Sequence, residues 1–173
     1  SKLEKLLRRI GEAETAFLVK YYNVTADTDQ FCEDLQKLLE TARDGFQGIK
    51  GEKIPGTLMG SSYKVTASPV YSIDGKVEDW YFPQAIYTYY RGTDQAAAEK
   101  YFKDLDKVVN NCQLGFNRTE VLEPSSESSN KDKMYKYIEK EEGKSGRAVI
   151  INLHQSYSGY EVQLVVNNYE LKK

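Results

Sequence analysis

Phe31-Cys32-Glu33-Asp34-Leu35-Gln36-Lys37-Leu38-Leu39-Glu40-Thr41-Ala42-Arg43-Asp44-Gly45-Phe46 is the stretch that decides the fold. Phe31, Cys32, Leu35, Leu38, Leu39, Ala42 and Phe46 recur at the helical repeat and make one apolar face. Asp27-Thr28-Asp29-Gln30 supplies cap-type residues at its start, and Gly45 and Gly48 mark its end. A second stretch beginning near Thr93-Asp94-Gln95 follows the same grammar. It carries Ala98, Tyr101, Phe102, Leu105, Val108, Val109 and Cys112 on one face and stops before Gly115.

The two helices align without a gap at a constant offset of 70. Asp34, Leu35, Lys37, Gly45 and Phe46 are matched by Asp104, Leu105, Lys107, Gly115 and Phe116. Each helix is followed by a polar, breaker-rich loop, about 47–62 and 117–132. Each loop leads to a Tyr-Lys pair, Tyr63-Lys64 and Tyr135-Lys136, that opens a strand. Each strand reaches a Gly turn and a basic residue, Asp74-Gly75-Lys76 and Ser145-Gly146-Arg147, before a second strand. Shared amphipathic grammar alone explains some of this. The matched order of loop, strand and turn favours a duplication with repeats at 29–91 and 94–156.

Period-2 runs place strands at 62–72, 77–91, 133–141, 147–156 and 160–170, with Pro83 bending the second or placing it at an edge. In the last, Tyr160, Val162, Leu164 and Val166 alternate with Glu161, Gln163, Val165 and Asn167, which predicts one buried and one wetter face. Short links make the strands antiparallel. The expected fold is therefore α+β: an antiparallel sheet of about five strands with helices on one face. It is expected as a single compact domain over 1–173, with two diverged α-β-β units and an added C-terminal strand at 160–170. Ahead of it, Ser1-Lys2-Leu3-Glu4 has the form of a capping box. Leu3, Leu6, Leu7, Ile10, Ala13, Phe17 and Leu18 then make 2–20 an amphipathic helix whose stripe needs cover from this chain or from a neighbour.

The bulk properties exclude more than they indicate. A net charge of −2 with interspersed signs gives no electrostatic case for nucleic acid or an anionic membrane. Apolar runs such as Val149-Ile150-Ile151 are far too short to span a bilayer. The chain starts with Ser rather than Met, so export stays open. The lone histidine, His154, sits on a strand with no carboxylate beside it in sequence, and reads as an ordinary strand residue. The loop Gly48–Ser62 has glycines and lysines but leads into a strand, so it fails as a phosphate loop. No metal or cofactor is expected. Cys32 and Cys112 lack the spacing of a zinc or redox motif. Antiparallel repeat helices would bring them together as a disulfide, implying an exported or periplasmic setting. The alternative is a pair of buried thiols in a cytoplasmic protein.

The functional lead is the tyrosine content, 14 residues against six phenylalanines and one tryptophan. Tyr87 and Tyr89 share one strand face, and Tyr135 and Tyr137 share another. Turned away from the helices, they would present rigid aromatic area with hydroxyl tips to a protein, peptide or glycan. The expected function is thus a non-catalytic binding or interaction protein. The alternatives are a small metal-independent enzyme using Tyr and carboxylates, or an assembly subunit docking through 2–20.

Overall fold

The computed structural model describes residues 25–56, 60–123, 131–140 and 146–171. The helix expected over 2–20 lies outside these residues. Helix α1 (Thr25–Thr41) leads through two short 3-10 turns into β1 (Lys50–Ile54), β2 (Ser61–Val65), β3 (Asp74–Asp79) and β4 (Pro83–Gly92). Helix α2 (Gln95–Asn111) is then followed by β5 (Asn117–Val121), β6 (Lys133–Ile138), β7 (Arg147–Ser156) and β8 (Gly159–Asn168). One antiparallel sheet takes in all eight strands in the order β1-β2-β3-β4-β8-β7-β6-β5. The centre of the sheet is the pairing of β4 with β8, where Ala85 meets Val166 and Tyr87 meets Leu164.

The sheet has eight strands where about five were expected. Two of the additions, β1 and β5, form the edges and lie inside stretches read as loops. Neither has an apolar alternation to announce it, because an edge strand is fixed by its one neighbour's backbone. The third arises because 77–91 is two strands, with the turn at residues 80–82. Asp74-Gly75 is not that turn but the start of β3. Gly75 is needed there because a β-carbon would lie 2.5 Å from the ring of Tyr87 on β4.

The helix ends follow local chemistry. Asp94 caps α2 by accepting a hydrogen bond from the Ala97 amide at 3.1 Å. Gly45 and Gly115 both take left-handed backbone, φ 78° and 74°, which lets the chain turn away after each helix. Phe31, Leu35, Leu38 and Leu39 from α1, and Phe102, Leu105, Val108 and Val109 from α2, pack into one core. Opposite them stand Ala85, Tyr87, Val149, Ile151, Val162, Leu164 and Val166 from the sheet. Each large side chain buried there contributes roughly 1.5–3 kcal/mol.

Arg147, at the start of β7, ties sheet to helix. Its guanidinium donates to the Leu39 carbonyl at 2.9 Å and to both oxygens of Glu139 at 2.7 and 3.0 Å. Glu139 also accepts the Arg147 amide at 2.9 Å. The Arg147 hydrogen bonds hold the Glu139 carboxyl well below its ordinary range, at about 2, against the opposing effect of burial.

Candidate functional site

The four strand tyrosines proposed as a contact surface are core residues. Tyr87, Tyr89, Tyr135 and Tyr137 are all buried, on the side of the sheet that the helices cover. Phe102 of α2 stacks on Tyr135 with ring centroids 4.5 Å apart, and Phe31 of α1 meets Tyr89 edge-on at 6.5 Å. Their hydroxyls serve the fold. Tyr87 donates to the Ala67 carbonyl at 2.7 Å, Tyr89 to the Val70 carbonyl at 3.3 Å, and Tyr137 to the Asp106 carboxylate at 2.6 Å. Burial raises the pKa of all three phenols, reinforced at Tyr137 by the Asp106 charge, so they act as donors and not as acids. A two-residue period shows which side chains share a face but not which face the helices choose, and here they choose this one. A bulge in β4 between Thr88 and Tyr90 adds to the same side, since Tyr89 reaches Phe31 while Tyr90 packs on Tyr101 at 5.2 Å.

Among the described residues Tyr157 stands alone and fully exposed in the β7–β8 turn, and a stacked exposed pair lies at the β3–β4 turn. Asp79 pairs with Pro83, and Trp80, Tyr81 and Phe82 make the connection. Trp80 is 48% exposed and Tyr81 56% exposed, and their rings stack at 4.5 Å with 26° between planes. Phe82 braces the turn from behind by packing edge-on to Tyr169 at 4.7 Å. Gly60 approaches the turn so closely that a β-carbon would stand 2.7 Å from the Asp79 carbonyl oxygen. Position and chemistry thus combine to hold two flat aromatic rings in solvent. The sequence named neither residue as a site, because a Trp-Tyr-Phe run reads as strand interior. The signal available was the chain's only tryptophan three residues before a proline.

A second candidate lies on the sheet face away from the helices. His154 Nδ1 contacts the Asp132 carboxylate, which also accepts Asn152 Nδ2 at 3.0 Å. Across the strands His154 faces Glu161, and Glu161 faces Arg91. Arg91 reaches Glu161 at 3.4 Å and Asp74 at 3.0 Å, so Glu161, Arg91 and Asp74 make a row of alternating charge. Its hydrogen bonds and charge pairing with Asp74, followed by Glu161, raise the Arg91 pKa further. Sequence gave His154 no partner because Asp132 is 22 positions away. A carboxylate that fixes an imidazole ring suits acid–base work. No hydroxyl or thiol hydrogen-bonds to the ring among the described residues, and the neighbouring cavity of about 230 Å³, lined by Lys131, Gln155, Ser156 and Tyr157, is small for a substrate.

Cys32 and Cys112 are joined, with Sγ–Sγ 2.07 Å and Cα atoms 5.3 Å apart, and pin α1 to the end of α2. No group of three or more potential metal ligands occurs among the described residues, and no described helix is long and apolar enough to cross a membrane. No family model matches the chain, and no similar protein emerges among curated proteins or solved structures.

Proposed function

We propose that the protein is a non-catalytic binding module whose contact surface is the aromatic turn Trp80-Tyr81, with a protein, peptide or glycan as partner. The observation that carries this reading is the stacked, half-exposed pair itself. Large aromatics are enriched at the centres of interfaces because they bury much area at small entropic cost, and their faces suit both peptide and sugar C–H groups. A braced turn holds the rings in place before a partner arrives, which lowers the cost of binding.

The test uses peptide and oligosaccharide arrays probed with the full chain and with a Trp80→Ala, Tyr81→Ala double variant. The reading expects ligands whose affinity falls at least about tenfold in the variant. Ligands bound equally by both proteins, or none from either class, would contradict it.

A second reading, a small enzyme, has the Asp132–His154 pair in its favour. It requires turnover that disappears in His154→Ala and persists in the Trp80, Tyr81 variant.

Two further parts of the reading concern the chain itself. The sheet order runs symmetrically outward from β4 and β8, and two 17-residue helices each precede four strands. With the offset-70 identities, this supports two diverged copies with units at 25–92 and 95–168. On that reading β8 is the counterpart of β4 and not an addition. The Cys32–Cys112 bridge supports residence in an oxidising compartment, outside the cytoplasm.

A further inference from the structure

The two edges of the sheet are not alike. The register of β1 with β2 shifts between Lys50 and Lys53, so this edge is irregular and carries two lysines. Bulges and lysines are devices by which proteins keep an edge from adding strands. At the opposite edge β5 has no such break. It pairs residue for residue with β6, from Asn117 against Ile138 to Val121 against Met134, and all five of its residues are exposed. Its outer side therefore offers backbone N–H and C=O groups to another strand.

The sequence of that edge is self-complementary. It reads Phe116-Asn117-Arg118-Thr119-Glu120-Val121-Leu122. An antiparallel pairing of two copies centred on Thr119 sets each Arg118 opposite a Glu120, and each Phe116 opposite a Leu122. Moving the centre by one residue either way would set Arg118 against Arg118 or Glu120 against Glu120, so charge selects a single register. Arg118 is already held for this contact. Its guanidinium donates to the Asp106 carboxylate at 2.7 and 3.3 Å and to Glu120 at 2.8 Å, and lies 4.7 Å from the centre of the Tyr135 ring. A group held in place loses less entropy when a partner arrives. Val121 and Leu122 are exposed beside it and add apolar area.

We propose that β5 is a homodimerisation edge, at which two chains join antiparallel about a twofold axis through Thr119 and form one continuous sheet. The symmetry closes the contact, because each β5 edge is used up by the other and the irregular β1 edges take no further strand. So short a strand buries little area, which makes the dimer weak and dependent on protein concentration.

Sedimentation velocity of the full chain from about 1 µM to about 1 mM reads the balance of monomer and dimer. Glu120→Lys sets like charges opposite one another at both symmetric contacts, and should raise the dissociation constant at least about tenfold. Glu52→Lys makes the same charge change at the β1 edge, on a side chain 85% exposed, and should leave the constant unchanged. Crosslinking reads the register separately, with the Cys32–Cys112 bridge intact. Thr119→Cys should join two chains on mild oxidation, since directly opposed α-carbons lie about 4.5–5.5 Å apart, within disulfide reach. Asn117→Cys should not, because its counterpart in the second copy would lie roughly 14 Å away. A chain that stays monomeric throughout would overturn the proposal. So would a dimer that Glu120→Lys weakens no more than Glu52→Lys does, or crosslinking as ready through Asn117→Cys as through Thr119→Cys.

Discussion

Two groups of aromatic residues divide this molecule, and the same chemistry does opposite work in them. Tyr87, Tyr89, Tyr135 and Tyr137 lie under the helices, and the hydroxyls of Tyr87, Tyr89 and Tyr137 rest on Ala67, Val70 and Asp106. Trp80 and Tyr81 stand in a turn, stacked on one another and half exposed. Tyrosine serves the first role well because its ring fills core volume while its hydroxyl satisfies a loop carbonyl that would otherwise go unpaired. The second group stays half exposed, and that exposure is what the proposed contact surface rests on. Aromatic content alone therefore carries no functional message until each ring is assigned to a side of the sheet.

The comparison breaks most visibly at Tyr87. Replacing this fully buried ring by alanine leaves a cavity and an unpaired carbonyl, and should cost about 3–5 kcal/mol in urea unfolding. Tyr81→Ala should stay within about 0.5 kcal/mol of the parent. Similar costs at both positions would erase the distinction. Next comes the clasp that holds the helices over the buried rings. Cys32→Ser with Cys112→Ser should cost about 2–4 kcal/mol, and the denatured, unreduced parent should show no free thiol. Two free thiols per chain would remove the case for an oxidising compartment.

Smaller effects sharpen the same division. Tyr137→Phe keeps the ring and removes only the hydroxyl that serves Asp106, for an expected loss of about 1–3 kcal/mol. The Glu139–Arg147 pair adds a pH signature. Because the Glu139 carboxyl titrates at about 2 in the folded chain, below the ordinary range near 4.3, its stabilisation is fully present above that ordinary range. It fades as pH falls towards about 2. Glu139→Gln should therefore cost more stability at neutral pH than near pH 3, as read by parallel urea titrations. An equal cost at both would mean the pair is not formed.

Much of the architecture was legible in the sequence because it rests on local rules. The apolar stripes of α1 and α2 and their glycine stops at Gly45 and Gly115 follow from periodicity and backbone preference, whereas in β8 the face expected to be wetter is buried at Val165 and Asn167. The edge strands were not legible. Lys50–Ile54 and Asn117–Val121 are polar, and every residue of β5 is exposed, so pairing to one neighbour is their whole specification. The turn at Trp80-Tyr81-Phe82 hid for the converse reason, since its residues are strong strand formers. The site suffered from the same two gaps. The choice of face at Tyr87 and Tyr135 depends on where helices pack, and the partnership of His154 with Asp132 depends on strand register.

The most direct measurement uses Trp80 as its own reporter, since the chain has no other tryptophan. Its emission is followed while the peptide or oligosaccharide that scores on the arrays is titrated in. The account predicts a saturable blue shift and protection from acrylamide quenching, both weakened in Tyr81→Ala. Saturable binding that leaves Trp80 emission and quenching unchanged would place the contact elsewhere and contradict it.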